Sequence, residues 1–201
     1  MKKNFLLTVL ALGLFGLTKV VYNQVALRAD ALGKPFLADF NALFSYATLL
    51  VVIYGQAFGA LSNKFVSEHV GAGRDDEARR LHTGLLALLA ALAAVALGCS
   101  WWARGLIAAR LRIADAGMVG AVLPYVALYA FSFYFKYAFY SFDRVRAYCA
   151  TEVVACAVFF ALLAAAALAG APALAAQAFN VHSALFIALA AWRLRDRWLW
   201  R

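Results

Sequence analysis

Apolar and polar positions alternate along this chain in long blocks. Continuous apolar runs cover about 5–27, 36–61, 81–103, 118–142, 147–169 and 173–192. None shows the dyad alternation of a barrel strand, and each is long enough to cross roughly 30 Å of hydrocarbon as a helix. The pattern therefore predicts six transmembrane helices. The only long polar interruption is 63–81, NKFVSEHVGAGRDDEARRL, with two predicted spans before it and four after it. Shorter breaks carry helix punctuation: Gly33-Lys34-Pro35 opens the second span, and Gly170-Ala171-Pro172 turns the fifth into the sixth.

The polar stretch reads as a helix end, a glycine stop and a new helix start. Gly71 and Gly73 suit a left-handed cap, and Asp75, Asp76 and Glu77 suit the positive end of the next helix. Asp75–Arg79 and Asp76–Arg80 have the spacing of supporting pairs on one helix face. The GAG inside it is no nucleotide fingerprint, because Asp76 stands where a third glycine belongs and no strand precedes it. A basic start at Lys2 and Lys3, an apolar run and Ala29-Asp30-Ala31 resemble a signal peptide. The run exceeds 20 residues, too long for such a core, so a retained first helix is expected.

Composition agrees with the pattern: 66% of 201 residues are hydrophobic and 14% charged, far from an ordinary soluble domain. The net charge of +9 does not imply nucleic acid, because the basic residues cluster at the ends of apolar runs. They suit membrane topology and anionic headgroups instead. Twelve Lys and Arg fall on the side holding both termini and the 63–80 loop, against five on the other (Arg28, Lys34, Arg104, Arg110, Arg112). The positive-inside rule places both termini in the cytoplasm. Trp192, Trp198 and Trp200 then form an interfacial anchor. Cys99, Cys149 and Cys156 lie in apolar segments without a CxxC pair and read as buried free thiols, with neither disulfide nor metal.

Lys19 in the first helix is followed by Leu32-Gly33 and then by Gly59 through Asn63-Lys64-Phe65-Val66-Ser67-Glu68. Arg79-Arg80 close the loop, and Lys136 with Ser141-Phe142-Asp143-Arg144 complete the set. That order of features resembles the N-terminal lobe of Wzx-type flippases for lipid-linked oligosaccharides (the O-antigen and enterobacterial common antigen type), within the MOP exporter superfamily. The implied fold is an all-α integral membrane protein, a six-transmembrane-helix bundle resembling one lobe of a MOP/MATE-like transporter. Members carry two such lobes, so the chain is expected to be a fragment, or a half-transporter that pairs with a second copy. The implied location is the bacterial inner membrane. The implied task is flipping a polyprenyl-diphosphate-linked oligosaccharide by alternating access, with polysaccharide polymerase machinery as a further partner.

Such a substrate needs cations inside the bilayer, where each costs about 2.5–3.5 kcal/mol at a helix centre. Lys19 and Lys136 are the candidates. Asn23 shares the face of Lys19 at i,i+4, with Gly16 beside it; the alternative is a Lys19 that snorkels or pairs with Asp39. Arg28, half a turn off that face, reads as an interfacial anchor or cavity rim. Lys136 belongs to a helical stripe with Tyr125, Tyr129, Ser132, Tyr140 and Asp143. Tyr129 and Tyr140 would stack on sugars; the alternative is a packed interface with Lys136 neutralised by Asp143 or Glu152. Asp39 and Glu152 are candidates for ion coupling, against ion pairs to Lys19 or Arg144. For His182 the plainer reading is a hydrogen bond to Asn180 or Gln177, and Gln56 reads as interhelical glue. No GxSxG, HExxH or facing aspartate pair is present, and the histidines lack metal-ligand spacing, so neither enzyme activity nor a cofactor is expected. A multidrug exporter of the same superfamily and a non-catalytic membrane assembly protein are the alternative functions.

Overall fold

The computed structural model describes residues 2–29 and 32–198. Asp30 and Ala31 of the small-residue motif, and Trp200 and Arg201 of the tail, lie outside the described residues. Among the described residues ten α-helices follow one another: α1 (Lys2–Arg28), α2 (Gly33–Tyr54), α3 (Gln56–Leu61), α4 (Ser67–Gly71), α5 (Asp75–Trp102), α6 (Arg104–Leu111), α7 (Ala116–Val122), α8 (Pro124–Ser141), α9 (Val145–Leu168) and α10 (Pro172–Arg193). A wider, π-helical stretch, Ser62–Val66, joins α3 to α4. No strand occurs among the described residues. Six segments are long and apolar enough to cross a membrane: Leu6–Arg28, Gly33–Tyr54, Asp75–Trp102, Gly117–Ser141, Val145–Leu168 and Pro172–Arg193. The chain is an all-α, multi-pass membrane bundle.

Two predicted spans are divided. The run at 36–61 breaks at Gly55, where a side chain would stand 3.2 Å from Ala130 Cβ; the glycine lets α2 press against α8. The run at 118–142 breaks before Pro124, which lacks the N–H that would continue α7 and instead starts α8. Helix also continues past 61 through the polar residues to Gly71, and the stop falls at Gly73, the glycine with the left-handed φ of 71°. Arg74 N–H bonds His69 O at 2.9 Å across that cap. Asp75, Asp76 and Glu77 do open α5. The expected i,i+4 pairs are replaced by nearer partners: Asp76 with Arg79 at 4.0 Å, Glu77 with Arg74 and His69, and Asp75 with Arg197 from the far end of the chain.

The strongly aromatic α8 is the central helix, packed on α2, α3, α5, α9 and α10, while α1 lies against α9 and α2. That burial explains its composition, since aromatic side chains fill most volume per position. Polar groups fasten its partners: Tyr54 donates to Val126 O at 2.6 Å, and Ser62 and Ser141 hydroxyls meet at 3.2 Å. Gly59 is the tightest approach, since a Cβ there would stand 2.5 Å from the Tyr137 ring. Gly59→Leu should therefore cost about 1–3 kcal/mol through overpacking. An unchanged melting temperature in detergent would show that Tyr137 swings aside.

Six long helices bring the two ends of the described chain to one end of the bundle, and residues 194–198 dock there. Arg144 donates to Arg193 O at 2.7 Å and grips the Asp196 carboxylate with both Nη atoms. Burial pushes the Asp196 carboxyl up, but the Arg144 hydrogen bonds and charge outweigh it and hold it below the usual carboxylate range. A depressed folded value stabilises the docked tail above the ordinary carboxylate pKa, and that contribution is lost as pH falls through the folded value. Amide protection at 194–198, taken relative to the intrinsic exchange rate at each pH, should be high at neutral pH and fall on acidification, and Asp196→Asn should leave it low throughout. Trp192 is exposed on the bundle surface, as an anchor requires, whereas Trp198 turns inward with its ring edge-on to His82 at 6.3 Å.

Candidate functional site

Lys19 lies nine residues before the end of α1, and Asn41 eight residues after the start of α2. Antiparallel packing puts both roughly 12–14 Å from the α1–α2 turn. The half-buried Lys19 Nζ donates to Asn41 Oδ1 at 2.6 Å and stands over the rings of Phe44 (3.9 Å to the centroid) and Phe40 (4.7 Å). Among the described residues it has no ion pair. Asp39, the partner expected from the sequence, points elsewhere: its carboxylate accepts from the backbone N–H of Ala114 (2.9 Å) and Asp115 (3.4 Å). The reason is register. Asp39 and Asn41 are about 200° apart on α2, so only one can face α1. Asp39 thus ties the loop after α6 to α2 and does not pair with Lys19.

Asn23 stands one turn beyond Lys19, half-buried, with its Oδ1 shielded from solvent and lacking a hydrogen-bond partner among the described residues. Arg28 is exposed at the helix end, off the Lys19 face. From Phe44 a run of rings crosses the bundle. Phe44 stacks with Tyr125 (5.1 Å), Tyr125 with the half-buried Tyr129 (5.0 Å), and Tyr129 with Phe15 of α1 (6.3 Å). Lys136 Nζ sits 3.5 Å from the centroid of Phe15. The two intramembrane lysines therefore cap opposite ends of one aromatic path.

Their surroundings differ. Lys136 is buried and ion-paired with Glu152 of α9 at 3.5 Å, which corrects the picture of an open wall on α8 in favour of the packed alternative. The stripe faces the interior because α9 and α10 both cover it, and only Asp143, in the turn after α8, is exposed. Tyr140 packs its ring against Tyr148 at 5.5 Å, away from Lys19. Glu152 also faces His182 of α10, Nε2 to Oε1 3.5 Å, and Cys156 Sγ lies 3.8 Å from the same oxygen. His182 is thus turned to Glu152, not to its sequence neighbours. Asn180 and Gln177 instead donate to Ala121 O at 2.6 and 3.2 Å and hold α10 on α7. Of the thiols, only Cys156 is buried; Cys149 is intermediate and Cys99 is exposed on α5.

Sequence reasoning missed Asn41, Phe15, Phe44 and the convergence on Glu152. The available signal for the last was the Glu152–Cys156 i,i+4 spacing on one face of α9. Surface clefts of about 340 Å3 beside Arg144, Arg193 and Arg195 and about 380 Å3 beside Phe36, Asp115 and Pro172 sit at opposite ends of the bundle, and a third of about 530 Å3 lies beside Leu97, Trp101 and Pro124. Lys19 and Tyr129 line none of the three. Comparison of the chain with protein-family models, with curated proteins and with solved structures found no match.

Proposed function

We propose that this chain is a six-helix lobe of a flippase, similar to the Wzx-type members of the MOP superfamily, that carries polyprenyl-diphosphate-linked oligosaccharide across a bacterial inner membrane. The observation that supports it is Lys19, a cation in a membrane span with aromatic rings and one amide for company and no ion pair among the described residues. A charge kept there against a desolvation cost is free to be matched by an anionic ligand. A diphosphate supplies that anion. The half-buried Tyr129 beside Phe15 offers a stacking surface for a sugar ring, and the lipid tail stays in hydrocarbon outside the bundle. Lys136, already neutralised by Glu152, is not the primary ligand.

Alternating access requires a facing surface, supplied by a second lobe or a second copy of this chain, that rocks against the Lys19 side. Polysaccharide polymerase machinery would receive the flipped product. In this reading both termini and the Lys64–Arg80 polar stretch lie in the cytoplasm, where Lys and Arg are concentrated. Single cysteines placed at Glu68 and Ala109 of a cysteine-free protein should react with a membrane-impermeant maleimide from opposite sides, Glu68→Cys from within only. The function itself is tested by depleting the protein in a strain that depends on it. Lipid-linked glycan should accumulate on the cytoplasmic leaflet while surface glycan falls; unaltered lipid-linked pools would overturn the reading.

A further inference from the structure

We propose that Glu152, Cys156 and His182 form an intramembrane binding site for a divalent d-block cation, with Zn2+ the best match to the donor set. Glu152 and Cys156 are one turn apart on α9, and His182 projects from α10 into the same point. All three are buried. The separations are 3.5 Å for His182 Nε2 to Glu152 Oε1, 3.7 Å for Cys156 Sγ to His182 Nε2, and 3.8 Å for Cys156 Sγ to Glu152 Oε1.

Those distances are informative. A hydrogen-bonded imidazolium–carboxylate pair closes to about 2.7–2.9 Å, and this one stands well outside that range. Tetrahedral zinc with bonds of about 2.3 Å to sulfur and about 2.0–2.2 Å to nitrogen and oxygen spaces its ligand atoms about 3.3–3.6 Å apart. The observed triangle is slightly larger than one face of that tetrahedron, so small side-chain rotations complete it. Three protein ligands of mixed N, O and S type leave a fourth position for water or another oxygen donor.

The thiol loses its proton to water on binding, Cys156–SH plus M2+ giving (Cys156–S–M)+ plus one H+. Thiolate and carboxylate supply two negative charges against the metal's two positive ones, His182 binds as a neutral ligand, and the Lys136 ammonium remains as one further positive charge. Lys136 is on the other side, 3.5 Å from Oε2, and so leaves Oε1 to the metal while holding the carboxylate in place. It acts as a like charge toward the ion, and its removal should tighten binding.

The test uses the full chain in detergent, stripped with a chelator and titrated with Co2+ and then Zn2+. The expected result is one Co2+ per chain with a thiolate-to-cobalt charge-transfer band, bleached by Zn2+. Cys156→Ser should abolish the band, whereas a Cys99→Ser/Cys149→Ser double variant keeps it. His182→Ala should weaken cobalt binding by tenfold or more, and Lys136→Met should strengthen it. A wild-type protein that gives no such band, or a band that survives Cys156→Ser, overturns the proposal, and neither result depends on any variant folding.

Discussion

Lys19→Ala leaves the protein inserted and at least as heat-stable as the parent, and it abolishes most of the transport. The two halves of that expectation come from the same geometry. An intramembrane lysine costs about 2.5–3.5 kcal/mol at a helix centre, and here its direct polar return is a single hydrogen bond to a neutral acceptor, Asn41 Oδ1 at 2.6 Å. Removing the ammonium removes the cost and leaves one amide oxygen short of a partner, about 1–3 kcal/mol in the opposite direction. Folding is therefore close to indifferent. Binding is not, because a charge-assisted hydrogen bond to a diphosphate oxygen is worth about 1.5–3 kcal/mol, or roughly 10–150-fold in affinity. Lipid-linked glycan should accumulate in Lys19→Ala cells to nearly the depleted level. Lys19→Arg keeps the charge but must fit a planar fork between Phe40 and Phe44, and partial activity is expected. Normal surface glycan in Lys19→Ala would remove Lys19 from the mechanism and with it the main support for a flippase.

That contrast between fold and site was only partly legible in the sequence. Six spans could be read because hydrocarbon thickness sets a length that apolar runs either meet or miss, and the side that gathers the termini follows from an even number of crossings. The breaks at Gly55 and Pro124 were visible as residues, yet their effect depends on α8 lying directly behind Gly55 and on the proline falling inside a run apolar enough to be read as one helix. Site partners were harder. The sequence offered Asp39 to Lys19 on charge alone, whereas a rotation of two residues along α2 gives the position to Asn41. Lys136 and Glu152 could be listed as possible partners, but their meeting with His182 and Cys156 depends on three helices converging. Pattern along one helix says which face is polar; it says nothing of which neighbour that face meets. Cys99 illustrates the same limit, since an apolar segment in a membrane protein has a lipid-facing side on which an apolar residue is exposed, not buried.

The buried charges at the other end of the aromatic path behave in the reverse way to Lys19. Glu152→Ala, in chelator-treated protein, should destabilise the bundle by about 3–5 kcal/mol, because Lys136 is then left buried and unpaired. Against a typical total stability of about 5–15 kcal/mol, that is a large loss. Lys136→Met should cost less. Glu152 retains polar neighbours, His182 Nε2 at 3.5 Å and Cys156 Sγ at 3.8 Å from Oε1. Among the described residues Lys136 has less to fall back on, the rings of Phe15 and Phe186 and the nearby Cys156 thiol. The double variant Glu152→Leu/Lys136→Met removes both charges and fills the space with apolar volume, so its unfolding temperature should return close to that of the parent or exceed it, as buried pairs replaced by hydrophobic groups generally do. The ordering expected is parent and double variant together, Lys136→Met below them, Glu152→Ala lowest. A double variant as unstable as Glu152→Ala would mean that Glu152 holds α9 and α10 together through His182 and not by neutralising Lys136. Stability restored without restored transport would show that the pair is kept for function, since the bundle packs as well without it.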